Sequence, residues 1–325
     1  MALPRRFVKS FTRLLLPVVV LVGAAVIGAS VWLVFQSSQA PKNSYLITPD
    51  KYGRLSSRGA QITDETWGNS DGTQSRGWLL RGTPGSPAVV MLHAYGADRS
   101  YLLNLGVKIN EATDFTILMP DQRGHGEGPP VRFSTFGGCE TEDALAAIKY
   151  LRDLKVDEST PLVGSNIGIY GVEMGALIGL MSASRDQTIK SMALDSVPSS
   201  SDDLLSKVIR HRFPFASSVT SRFAELGAPM FFYNGCYRKD KMCDVVKNLE
   251  NRQILLLAGG DDPDLQASTG GLNRCFPKST SIETKTDLYP SGTNLVTASL
   301  QQFEEYDNRV IAFFRQSLGT PVAAQ

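Results

Sequence analysis

The chain has 325 residues, 42% of them hydrophobic and 20% charged, with 33 Lys and Arg against 32 Asp and Glu for a net charge of +1. A balance so close to neutral, with no basic tract beyond the N-terminus, gives no electrostatic footprint for nucleic acid or for an acidic polymer. The length suits one large α/β domain behind an N-terminal segment, and neither a repeat nor a second domain is visible.

Residues 1–13 carry Arg5, Arg6, Lys9 and Arg13 and read as a basic cytoplasmic end. The next 22 residues, Leu14 to Phe35, are uncharged. As a helix they rise about 33 Å, enough to cross a hydrocarbon core of about 30 Å. A cleaved signal peptide is the rival reading, because Ser38-Gln39-Ala40 offers small residues at a cleavage spacing. The apolar core of such a peptide usually has only about 7–15 residues, so an uncleaved single-pass anchor is expected. Few positive charges follow soon after it (Lys42, Lys51), which predicts a cytoplasmic N-terminus and an extracytoplasmic body, periplasmic or extracellular. A polar linker at 36–45 then leads to a domain over 46–325.

Asp71-Gly72 separates Ile62–Trp67 from Arg76–Leu80, which reads as an antiparallel opening pair around a turn. Short apolar runs follow at Ala88–Leu92, Thr116–Met119, Ile167–Tyr170, Ser191–Leu194 and Ile254–Ala258. Helix-length stretches separate them, such as Glu142 to Leu154 with Ala144, Leu145, Ile148 and Leu151 on one face. The alternation predicts an α/β fold, a mainly parallel sheet with helices on both faces. Between about 198 and 250 the rhythm breaks into helical and loop segments, as expected of a cap inserted over the C-terminal ends of the strands, where open α/β sheets place ligands.

The four cysteines, Cys139, Cys236, Cys243 and Cys275, fall in the outward domain, where disulfides form, and they allow three connectivities. Cys236 and Cys243, close together in a polar stretch, suggest a loop-closing bridge, with buried free thiols as the other reading. Metal ligation is disfavoured, since no Cys-x-x-Cys pair or neighbouring histidine supplies ligand spacing.

Gly171-Val172-Glu173-Met174-Gly175 has the spacing of a G-x-S-x-G nucleophile elbow with glutamate in place of serine, between the strand at Ile167 and an apolar helix from Ala176. Three more landmarks stand in order with it: His93-Ala94-Tyr95-Gly96, Asp121 to Glu127, and Gly259-Gly260-Asp261-Asp262. Over Tyr45 to Phe314 the chain resembles the α/β-hydrolase family, particularly its bacterial serine hydrolases of the prolyl-aminopeptidase or esterase type. The resemblance implies an oxyanion hole from the amides of Tyr95 and Met174 and a triad acid at Asp262, with Asp195 as the alternative acid position.

The same resemblance exposes two losses. Glu173 stands at the nucleophile position, where a carboxylate is a weak nucleophile toward acyl groups. Relatives that use an elbow carboxylate use aspartate, one methylene shorter. In the turn Pro290 to Asn294, Thr293 stands at the histidine position, and its hydroxyl cannot act as a base near neutral pH. The chain has three histidines, His93, His125 and His211, none of them C-terminal to that turn. His93 is expected to pack under the oxyanion loop and His125 to order the loop after the fourth strand. His211, on the cap, is expected in solvent, with replacement of the lost base as its sharper reading. Asp262 is expected to pair with a Lys or Arg. An acidic pocket of Glu173, Asp262 and Asp195 that takes a cation is the sharper reading there.

The expected protein is therefore a membrane-anchored α/β-hydrolase-fold protein, inactive as a serine hydrolase, that binds a small apolar, lipid or peptide ligand or serves as an interaction module. The alternative is a hydrolase of esters or amides in which Glu173 acts as general base for direct water attack. No cofactor is implied by either.

Overall fold

The computed structural model describes residues 5–41, 44–53, 60–215, 217–233 and 235–319. Lys42 and the side chains of Arg5, Arg6, Lys9 and Arg13, which carry the expected orientation, lie outside the described residues.

The chain opens with a long helix α1 (Arg5–Ser38) and a short α2 (Pro49–Gly53). Next come β1 (Ile62–Gly68), β2 (Gln74–Leu80), β3 (Ser86–Leu92), α3 (Leu103–Thr113), β4 (Thr116–Pro120), α4 (Gly138–Asp153), β5 (Val163–Val172), α5 (Met174–Ala183) and β6 (Ile189–Asp195). Helices α6 (Ser201–Arg212), α7 (Ser217–Phe231) and α8 (Met242–Val245) interrupt the alternation. Then β7 (Gln253–Gly259), α9 (Pro263–Leu272), β8 (Ser281–Leu288) and α10 (Leu300–Leu318) complete it.

The strands form one eight-stranded sheet in the order β1-β2-β4-β3-β5-β6-β7-β8. β1 and β2 pair antiparallel around the Asp71-Gly72 turn and β2 pairs antiparallel with β4, while every pair from β4 to β8 is parallel. Because side chains alternate across a strand, β3 feeds two cores at once. Ala88, Val90 and Leu92 face α4, α5 and the cap helices. Val89 and Met91 face α3 and α10. Burial on both faces explains why the central strands read as unbroken apolar runs.

Two features depart from the sequence reading. The strand β8 has polar residues on most positions because it is the sheet edge, and its two apolar residues, Ile282 and Leu288, pack one against each core. The bridges are Cys139–Cys236 and Cys243–Cys275, with Cα separations of 5.1 and 5.2 Å. The expected bridge between Cys236 and Cys243 is thus corrected: the segment joining them runs from the start of α4 toward α9, and each thiol meets a partner distant in sequence. Both bridges tie the cap to the sheet's flanking helices.

Leu15–Ser38 is long and apolar enough to cross a membrane, by length and composition. Where a linker was expected from residue 36, the helix continues through Ser38 and its last turns enter the body. Leu33, Val34, Ser37 and Ser38 are buried. The carbonyl of Ser38 accepts from Ser134 N at 2.8 Å.

Candidate functional site

The C-terminal ends of β3, β5, β6 and β7 deliver Tyr95, Glu173, Asp195 and Asp262 to one edge of the sheet. Glu173 occupies the turn between β5 and α5 with φ 51° and ψ −106°, a conformation few residues other than glycine adopt. Such a backbone costs on the order of 1–3 kcal/mol and persists only where packing imposes it. Gly175 shows the packing: a Cβ there would lie 2.1 Å from the Leu92 carbonyl oxygen, so α5 can start this close to β3 only with glycine. The backbone N–H of Glu173 donates to Asp195 O at 2.9 Å and fixes the turn against β6.

The Glu173 side chain is 9% exposed, and both of its oxygens are engaged. Oε1 lies 2.6 Å from Lys207 Nζ, and Oε2 accepts from the Tyr95 backbone N–H at 3.2 Å. Lys207 comes from the cap helix α6, and its Nζ also lies 2.8 Å from Asp262 Oδ2. Burial pushes the Lys207 ammonium down, but the two carboxylates outweigh it and its pKa is raised. Asp262 additionally caps α9, its Oδ1 accepting from Leu265 N at 3.1 Å. The expected pairing of Asp262 with a basic residue is thus with Lys207, and one ammonium holds both carboxylates.

The other residues singled out from sequence sit around this bridge. Thr293 lines the same cavity as Glu173, but its Oγ1 is 2.7 Å from Ser291 Oγ, which is itself tied to Asp261. Asp195 accepts from Tyr306 Oη at 2.8 Å, from Gly292 N at 3.0 Å and from Ser196 Oγ at 2.6 Å. Its carboxylate therefore secures the turn that carries Thr293 and does not join Glu173 and Asp262 in an acidic pocket. Among the described residues, no group of three or more His, Cys, Asp and Glu is placed to hold a metal ion. Met174 is fully buried at the start of α5, its sulfur 3.5 Å from Ser134 Oγ.

Both buried histidines brace the Tyr95 loop. His93 Nε2 accepts from Gln122 N and His125 Nε2 accepts from Gly96 N, each at 3.0 Å. A backbone amide cannot accept a hydrogen bond, so both rings carry their proton on Nδ1, facing Ala94 O and Arg123 O. Burial lowers the pKa of each from 6.5 to about 4. His125 thus orders the Tyr95 loop as well as its own. His211 is exposed and lines the cavities flanking Glu173, yet the group in contact with Glu173 is Lys207, one helical turn earlier.

Sequence reasoning missed Lys207, although two carboxylates converging on a closed site require a cation, and Leu204, Lys207 and His211 share a helix face. It also missed the share α1 takes. Tyr95 Oη donates to Ser37 O at 2.6 Å, and Tyr95 stacks on Phe136 with centroids 5.4 Å apart. A cavity of about 790 Å³ beside Glu173 and Lys207 is walled by Gln39, Ala40 and Pro41 on one side and by Val208 and Arg212 on the other. A second, of about 400 Å³, runs from Glu173 to Thr293 and the apolar Leu102, Leu105 and Leu295.

A family model described as alpha/beta hydrolase fold matches residues 87–324. The fold is similar to that of an esterase from Pyrococcus furiosus, with a TM-score of 0.64 at 20% identity over 87% of this chain and 98% of that one. The alpha/beta hydrolase GrgF from Penicillium sp. gives 0.58 at 15% identity, over 80% and 100%. Dienelactone hydrolase from Anabaena variabilis gives 0.54 at 12% identity, over 80% and 99%. At these identities the likeness is one of fold. No curated protein matches the chain.

Proposed function

Since the chain belongs to the alpha/beta hydrolase fold family, the chemistry of its elbow decides its activity, and we propose that it is a membrane-anchored member that has exchanged catalysis for binding. Glu173 stands at the nucleophile position, Asp262 at the acid position and Thr293 at the histidine position. The observation that carries this reading is the bridge from Lys207 Nζ to Glu173 Oε1 at 2.6 Å and to Asp262 Oδ2 at 2.8 Å.

A nucleophile and its base act as a unit, so without serine and imidazole at most the binding and oxyanion terms of acceleration survive. The oxyanion terms are themselves suppressed. An oxyanion donor stabilises a tetrahedral intermediate by about 3–4 kcal/mol only if the donor faces the substrate's oxygen. Here the Tyr95 amide already serves the Glu173 carboxylate. That carboxylate is also neutralised by Lys207, which opposes its use as a general base toward water. The cavities on either side of the bridge, of mixed apolar and polar lining, suit a small apolar, lipid or peptide ligand. The N-terminal helix serves as the anchor, with the N-terminus cytoplasmic and the body extracytoplasmic.

The test is turnover of short-chain and long-chain p-nitrophenyl esters, together with labelling by a fluorophosphonate, using the full chain in detergent beside Glu173→Ala. The expected result is no labelling and no difference between the two proteins. Turnover in the wild type that disappears in Glu173→Ala would establish a glutamate-dependent hydrolase in its place.

A further inference from the structure

The cap helix α7 carries an apolar face with no protein cover. Val219, Leu226 and Met230 recur at i, i+7 and i+11 on one side of α7 and are 50, 60 and 51% exposed, and Tyr233, in the turn after the helix, is 85% exposed. Phe215, in the turn before α7, is 90% exposed. Solitary exposed apolar residues are ordinary, but a row of large ones on a single face marks an interaction surface.

The position of this face identifies what covers it. A Cβ on Gly227 would lie 2.4 Å from Ser30 O, and Phe231 meets Phe35 with centroids 6.2 Å apart. Residues 227 and 231 of α7 thus sit level with 30 and 35 of α1, so the two helices run in the same direction, side by side. Continued at that offset, the first turns of α7 flank α1 near residues 20 to 27, within its mostly exposed apolar stretch.

The length of that stretch makes the same point. On α1 full burial begins at Ser30, and Leu15 to Ala29 are exposed apart from the half-buried Val26. Those residues rise only about 22 Å, short of a hydrocarbon core of about 30 Å. A span anchored by α1 must therefore draw part of the body into the lipid, and the part alongside is α7. Trp32, 51% exposed and 5.7 Å from Phe213 of the α6–α7 turn, lies at the level where an aromatic residue marks the membrane boundary. Arg222 and Glu225, the charged residues of α7, lie on the side of the apolar row away from Gly227, and Glu225 accepts from Ser206 Oγ at 3.1 Å.

We infer that α7 is seated in the bilayer surface beside α1, with Phe215 and Val219 deepest and Met230 and Tyr233 at the boundary. This rests on α1 being a membrane anchor. Its consequence is that the cap, and with it the cavity between Lys207 and Gln39, opens at the lipid surface and not toward bulk water.

The experiment places single tryptophans in a Trp32→Phe background: Val219→Trp and Met230→Trp on α7, and Val156→Trp on the opposite end of the sheet. Trp67 and Trp78 are buried and give a common background. The full chain is reconstituted in vesicles of equal parts phosphatidylcholine and phosphatidylglycerol whose acyl chains carry bromine, which quenches tryptophan at short range. The difference between wild type and Trp32→Phe reports the anchor itself. Quenching of Val219→Trp several-fold above Val156→Trp, with Met230→Trp between them, is expected. If Trp32 is quenched while both α7 variants match Val156→Trp, the cap stands clear of the membrane and the inference is wrong. If Trp32 is unquenched and the protein does not float with the vesicles, the anchor reading falls and this inference falls with it.

Discussion

Tyr95 donates its phenol to the carbonyl of Ser37 at 2.6 Å, so the last turn of the N-terminal helix and the loop that would supply an oxyanion hole are one hydrogen-bonded unit. The same residue gives its amide to Glu173. From the N-terminal helix to the elbow the path is two hydrogen bonds long, and Lys207 closes it from the cap. The end of α1, the cap and the elbow are therefore packed as one assembly, which is the physical basis of the expectations below.

Replacing Lys207 by methionine leaves two carboxylates facing each other without their cation. Breaking a fully buried pair costs about 3–5 kcal/mol, and the 29% exposure of the Lys207 side chain lowers this to roughly 1–2 kcal/mol. The expected fall in Tm is roughly 2–8 °C. Adding Glu173→Gln to Lys207→Met should recover more than half of the loss, because the more buried of the two uncompensated charges, and its repulsion with Asp262, is then removed. Thermal unfolding followed by circular dichroism measures both, and additive losses would show that the bridge contributes nothing.

A triad can be rebuilt only if Lys207 is also removed. Glu173→Ser with Thr293→His supplies the missing types, but Lys207 would remain on Asp262 at 2.8 Å and keep it from orienting the new imidazole. The triple variant with Lys207→Ala should therefore react with a fluorophosphonate about 10²-fold faster than the double, the low end of what a positioned general base contributes. Equal rates would mean that Asp262 is not the acid that this fold presents to position 293.

His93 and His125 set an acid limit. Their folded pKa values of about 4 lie below the ordinary 6.5, so between those pH values the unfolded chain binds more protons than the folded one. Stability then rises with pH across that window and is lost as pH falls from 6.5 toward 4, by at most about 3 kcal/mol per ring. His125→Gln, whose amide oxygen can still accept from Gly96 N, should flatten the dependence of Tm on pH between 7 and 4. An unchanged slope would assign the acid limit to other groups.

Much of this was legible in the sequence, for reasons that particular residues make plain. The elbow stood out because Gly171 and Gly175 are held at their spacing by contact between β5, β3 and α5, and the central strands stood out because burial on both faces leaves only apolar residues. Lys207 did not stand out, since its role exists only when α6 folds over Glu173 and Asp262. β8 was hidden by its edge position, which leaves Glu283, Lys285 and Asp287 where a central strand would be apolar. The disulfides were hidden because pairing follows distance in space. The packing of the end of α1 was hidden for a related reason: apolar residues that meet lipid and apolar residues that meet protein look alike, so nothing in the sequence marked Leu33 and Val34 as core residues.

The burial of the last turns of α1 predicts what truncation does. A chain beginning at Pro41 loses the buried side chains of Leu33 and Val34, each contributing about 1.5–3 kcal/mol. It also strips the partner from Ser134 N, which donates to Ser38 O at 2.8 Å in a fully buried position, at a further cost of about 1–3 kcal/mol. The sum, roughly 4–9 kcal/mol, is comparable with the entire stability of an ordinary domain. Such a chain should unfold at a much lower temperature or fail to fold, while one beginning at Ala29 keeps these contacts and should melt close to the full chain. The comparison also decides between anchor and signal peptide. Cleavage after Ala40 would leave a mature domain lacking part of its own core, so a Pro41 chain as stable as the full one would favour cleavage, and an unstable one requires the helix to stay attached.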